Sequence, residues 1–121
     1  MNTELKMKPF MIVLHGKTSD WNKFPDAEQH ELIQKYMAWV EKLKSEGRFK
    51  SGSELHPQHR DLKSANGQII VDGPFPETKE ILTGFFIIKA TSLEEAVEVS
   101  KGCPALIHGD RLQVYEMPDR E

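Results

Sequence analysis

The apolar residues of this chain fall into short blocks between polar stretches, and the period of each block predicts its element. Phe10-Met11-Ile12-Val13-Leu14 is short and continuously apolar, which predicts a buried first strand. A polar loop holding Trp21 and Phe24 is expected from Gly16 to Pro25. Leu32, Tyr36, Trp39 and Leu43 then recur at helical spacing, with Ile33, Met37 and Val40 beside them. That pattern predicts a helix with a broad apolar stripe, suited to lying on a sheet. Asp26 followed by Gln29 has the form of a capping box at its start, and Gly47 reads as its stop. A second strand is expected from Ser53 to His56, ending at Pro57. Asn66-Gly67 is a tight-turn signal leading into a strand, Gln68-Ile69-Ile70-Val71, that ends at Asp72-Gly73-Pro74. Phe75 to Glu80 reads as a loop, and Ile81 to Ala90 as the clearest strand of the chain. Ser92 with Glu95 forms another capping box, opening a helix whose expected inner face is Leu93, Ala96, Val97 and Ser100. Gly102 and Pro104 end it, and Arg111 to Met117 alternates as a last strand.

Strand, helix, strands, helix, strand is the order of an α+β layer. The fold expected is a ferredoxin-like antiparallel sheet with two helices on one face, and an extra hairpin between the helices. No repeat, low-complexity tract or linker divides the chain, so residues 1–121 are read as one domain. Phe10–Leu14 and Phe85–Ile88 are apolar on both faces, whereas a sheet with one wet face alternates. Two helices cover one face, so a second copy of the sheet is expected on the other, making a homodimer about a two-fold axis. The long loops from Gly16 to Pro25 and from Pro57 to Gly67 are the competing cover.

Composition narrows the function classes. A net charge of −3 speaks against a nucleic-acid partner. No run of about 18 apolar residues offers a membrane span. The polar start, Met1-Asn2-Thr3-Glu4-Leu5-Lys6, lacks the apolar region of a secretory signal, so a cytoplasmic protein is expected. A single cysteine, Cys103, excludes an internal disulfide framework. It is read as a small buried residue at a helix C-terminus, where the dipole disfavours a thiolate.

The segment Val71-Asp72-Gly73-Pro74-Phe75-Pro76-Glu77-Thr78-Lys79-Glu80 resembles the signature of the DGPF family, part of the YCII-related superfamily. The resemblance continues through the opening strand, Gly52-Ser53-Glu54-Leu55, Gly84-Phe85-Phe86-Ile87-Ile88, Leu93-Glu94-Glu95-Ala96, Cys103-Pro104-Ala105 and His108-Gly109. It implies a dimeric ferredoxin-like fold of the dimeric α/β-barrel kind. It also implies a suspected enzymatic site built on a His–Asp pair, and some distant relatives resemble lyases acting on a ring. The Asp is matched by Asp72, while the histidine is left open between positions.

Asp72 ends a strand beside a Gly-Pro turn, where its carboxylate could stand at a cavity mouth as a general base. The plainer role is bonding its own turn. His15, at the end of the first strand, and His56, near the end of the second, are the two candidates to partner it as a proton carrier. Lys79 would hold an anionic substrate, Glu54 is a further acid, and Trp21 would line an apolar ligand cavity. His56-Pro57-Gln58-His59 lacks the clustered N/S ligands of a structural zinc site, so no metal is expected. No nucleotide-binding glycine motif is present, so no cofactor is expected either. The function read from these residues is a cofactor-free small-molecule enzyme using an Asp–His proton-transfer pair. The alternative is a non-catalytic dimeric module that binds a ligand in the same cavity.

Overall fold

A computed structural model describes residues 6–73 and 79–119. The chain runs β1 (Lys8–Gly16), α1 (Thr18–Asn22), α2 (Asp26–Ser45), β2 (Phe49–Glu54), β3 (Asp61–Ala65), β4 (Gln68–Asp72), β5 (Ile81–Ala90), α3 (Leu93–Ser100), a 3-10 turn (Pro104–Leu106) and β6 (Arg111–Glu116). This is a mixed α/β fold. Four strands form one antiparallel sheet in the order β2-β5-β1-β6, and β3 pairs with β4 in a separate hairpin. The sheet is open, with β2 and β6 at its edges, and it does not close into a barrel.

The register explains the core. Phe10 lies opposite Ile88, Ile12 opposite Phe86 and Leu14 opposite Gly84, so these residues share one face. Trp39 and Leu43 from α2 and Ala96 from α3 join Phe10, Ile12, Leu14 and Ile88 in the buried cluster on that face. The alternate residues Met11, Val13, Phe85 and Ile87 point to the other face, where they are half-buried.

Several local expectations are corrected. The strand expected at Ser53–His56 lies earlier, at Phe49–Glu54, because Phe49 packs against the core and pairs with Ile88. The expected loop from Gly16 to Pro25 contains the short helix α1. Asp26 is not a cap but the first residue of α2, and no side chain caps Pro25 at its start. Gln29 turns back instead: its Nε2 donates to the carbonyls of Trp21, at 3.1 Å, and Phe24, at 3.2 Å. The second capping residue behaves as expected, with Glu95 N donating to Ser92 Oγ at 3.1 Å. The carboxylate of Glu95 instead serves Thr91 N, at 2.9 Å, and Arg48 Nη1, at 2.8 Å. In α3, Ala96 and Ser100 are buried and Val99 packs on the core, whereas Leu93 and Val97 are exposed. The buried face is therefore Ala96, Val99 and Ser100, one side round from the stripe read from Leu93 and Val97.

The Asn66-Gly67 turn forms as expected, with φ of 51° and 76°. Both values are positive, which a two-residue hairpin of matching twist requires. Every residue of β3 and β4 except Ala65 is exposed. The loop read from Phe75 to Glu80 falls largely on residues 74–78, outside the described residues. No helix among the described residues is long and apolar enough to cross a membrane.

Candidate functional site

Between α2 and the sheet lies an open cleft of about 850 Å³, within the size range of small-molecule sites. Ile33, Met37 and Val40 of α2 form one wall, and Phe49 and Phe86 of the sheet form the other. This explains why half of the apolar stripe of α2 is not buried: Ile33 and Met37 remain exposed because they border a cavity. Trp21 of α1 stands at one end, held there by the bonds from Gln29.

The polar groups converge at that same end. Asp110 is buried just before β6, and its backbone N–H donates to Ala105 O at 3.1 Å. Thr83 Oγ1 donates to Asp110 Oδ2 at 2.8 Å. The other carboxylate oxygen, Oδ1, lies 3.3 Å from His108 Nδ1. The two are not aligned as a hydrogen bond, so Nδ1 is a buried nitrogen without a satisfied partner. On the other side of the ring, His108 Nε2 and the Tyr36 hydroxyl are 2.8 Å apart. With Nδ1–H turned toward the carboxylate, Nε2 accepts from the tyrosine O–H.

Aromatic rings enclose the imidazole. Trp21 meets it edge-on at 5.2 Å between centroids and Phe24 at 6.5 Å, and only 8% of the His108 side chain is exposed. Tyr36 itself stacks on Phe86, at 6.3 Å and 18° between planes. Burial, with Cys103 and the Asp110 carboxylate adding, pushes the Tyr36 phenol well above its ordinary value. It therefore remains an O–H donor through the physiological range.

Gly16 completes the arrangement. It ends β1 directly against Asp110, and a Cβ built there would overlap Oδ1 and come within 2.7 Å of Cγ. The carboxylate can occupy its place only because residue 16 has no side chain.

Of the six residues nominated from the sequence, Trp21 and Glu54 line the cleft. The other four lie elsewhere. Asp72 is exposed at the end of the hairpin, opposite Asp61. His15 points to the opposite face of the sheet from Leu14, with Nε2 2.7 Å from Gln113 Oε1. His56 is exposed beyond β2, where its Nδ1 accepts from Gln58 N at 3.4 Å. Lys79 is exposed just before β5. The structure therefore does not bring Asp72 together with His15 or His56 in the cleft. It brings together His108, Asp110, Tyr36, Thr83 and Gly16, none of which the sequence singled out for chemistry. The signal that could have found them is His108-Gly109-Asp110 itself, a histidine and an acid placed directly before a strand. No group of three or more potential metal ligands occurs among the described residues.

Cys103 lies behind the site and is buried. Burial pushes its thiol from 9.0 up to about 11, and the charge of Asp110 adds to the effect. Between those values the folded state binds more protons than the unfolded chain, so stability declines as pH rises through this window and is unaffected below it. Urea unfolding midpoints of the wild type and of Cys103→Ala should therefore differ in slope only between pH 9.0 and about 11. Parallel pH dependences across that window would contradict the assignment.

The model of the YCII-related domain matches residues 9–118. An uncharacterized protein of Rhizobium meliloti (strain 1021) is 34% identical over 88 residues, covering 69% of this chain and 68% of its own length.

Proposed function

The chain belongs to the YCII-related domain family, and from that premise we propose that its cleft performs cofactor-free proton transfer on a small molecule. His108 is the proton carrier, Asp110 orients the ring and balances the charge of its protonated form, and Thr83 holds the carboxylate. The observation that carries this reading is the placement of a nearly buried histidine between a buried carboxylate and a tyrosine hydroxyl at the end of an apolar cleft. An imidazole so placed has one nitrogen turned toward a carboxylate and the other bonded to a hydroxyl, which is the arrangement of a proton carrier. Trp21 and Glu54 contact the substrate from the cleft wall. Asp110 and His108 are a different pair from the one expected from the sequence, Asp72 with His15 or His56, none of which lines the cleft.

The wider architecture in this reading is ferredoxin-like and homodimeric. Met11, Val13, Phe85 and Ile87 form an apolar sheet face that no helix among the described residues covers, and a second copy supplies the cover.

The proton-transfer reading is tested in two steps. A library of small carbonyl compounds and acids is screened by thermal shift, and the stabilising compounds are incubated with the protein in D2O. Wild type should exchange a substrate proton for deuterium, read by mass spectrometry. His108→Gln should lower that rate by a factor on the order of 10² or more, with the circular dichroism spectrum unchanged. Compounds that stabilise the protein but return unlabelled and unaltered would replace this reading with the ligand-binding module.

A further inference from the structure

His108 lines the cleft, but only 8% of its side chain is exposed. The ring is enclosed by Trp21 and Phe24, and its Nε2 is bonded to the Tyr36 hydroxyl at 2.8 Å. Tyr36 is half-buried and lines the cleft. Its hydroxyl bonds His108 Nε2, the ring nitrogen turned away from Asp110, and so stands in the path of a proton to that nitrogen. Building on the proton-transfer reading above, we propose that Tyr36 is the catalytic residue that touches the ligand, and that the ligand class is a flat, largely apolar molecule bearing an acidic hydroxyl, an enol or a phenol.

The step balances without a further reactant. The O–H bond of the ligand breaks and its proton forms a new O–H bond at Tyr36. The original Tyr36 O–H bond breaks at the same time, and that proton forms an N–H bond at His108 Nε2. The electron pair stays on the ligand oxygen, and the new imidazolium faces the Asp110 carboxylate. The ligand oxyanion then accepts a hydrogen bond from Tyr36, which remains a neutral phenol. The misaligned contact of 3.3 Å between His108 Nδ1 and Asp110 fits this sequence, because it leaves the pair room to shorten once the ring becomes charged. Phe86, already stacked on Tyr36, and Trp21 supply walls for a planar ligand.

The probes are 2-naphthol and a series of chlorinated phenols, held at a pH below the pKa of each in solution. Difference absorbance reports whether a bound probe is phenol or phenolate. Wild type should bind them as phenolates. Tyr36→Phe, which keeps the ring and its stacking, should lose the phenolate band and bind on the order of tenfold more weakly, the effect of losing a charge-assisted hydrogen bond. His108→Gln should lose the band as well while still binding the neutral phenol. Phenolate binding that survives in Tyr36→Phe overturns the role of Tyr36 and leaves the cleft reading intact. Failure of every probe to bind overturns the ligand class. Ile33→Trp, which fills the cleft mouth, separates the remaining case: probe binding undiminished in that variant would place the probes outside the cleft and overturn the proton-transfer reading itself. If Tyr36→Phe does not fold, the band in His108→Gln decides, because retention there also overturns the relay.

Discussion

Replacing Gly16 by alanine should destabilise the domain by about 2–4 kcal/mol, a large effect for one methyl group. The added carbon would fall on the Asp110 carboxylate, which is buried and held by Thr83 at 2.8 Å. A flexible surface side chain would move aside cheaply, but this carboxylate is only 7% exposed and is tied to Thr83. Displacing it breaks the Thr83 bond and leaves a buried charge short of donors. Asp110→Ala removes the obstruction, so Gly16→Ala should cost less than about 1 kcal/mol in that background. The coupling between the two sites should reach about 1–3 kcal/mol in a double-mutant cycle measured by urea unfolding. Additive effects would mean that Gly16 is glycine for some other reason. The same variant should abolish deuterium exchange at 25 °C even where it remains folded, because the carboxylate that orients His108 has moved.

Phe85→Asp should convert the proposed homodimer into a monomer at micromolar concentration. Phe85 lies opposite Val13 on the face turned away from the helices, so the core on the other side is untouched. A two-fold axis through this face would bring the two introduced carboxylates toward one another in an apolar surrounding, which is costly on both counts. Light scattering should give the mass of two chains for the wild type and of one chain for the variant, with unchanged circular dichroism. A wild type that scatters as a single chain, or a variant that stays dimeric, would remove the face-to-face arrangement.

The architecture was legible where side-chain pattern and environment agree. Ile81–Ala90 and the Asn66-Gly67 turn declare themselves locally, and both form as read. β2 was not legible, since only Phe49 of its six residues is even partly buried and an edge strand needs little else. The stripe on α2 is legible as apolar but not as divided between core and cleft. Sequence pattern cannot separate a buried isoleucine from one that borders a cavity. The site was hidden for a related reason. Tyr36 and His108 meet across 72 positions, and Asp110 depends on a glycine at the far end of β1. Each member looks ordinary alone: a helix tyrosine, a turn histidine, an acid before a strand. Asp72 drew attention through its local turn, yet it sits on the hairpin and not against the cleft.

That hairpin also has a thermodynamic consequence. Leu62, Ile69 and Val71 share one of its faces and are 66%, 66% and 59% exposed, so their transfer out of water contributes little to holding it closed. A two-stranded ribbon of this kind is marginal in water on its own. β3 and β4 pair only with each other among the described strands, so opening residues 61–72 breaks no bond of the β1–β5 ladder. Changes of sequence at residues 61–70, ahead of the Val71–Glu80 signature, are released from the packing constraints that bind the core, leaving the arm able to change its surface while the rest of the fold stays fixed.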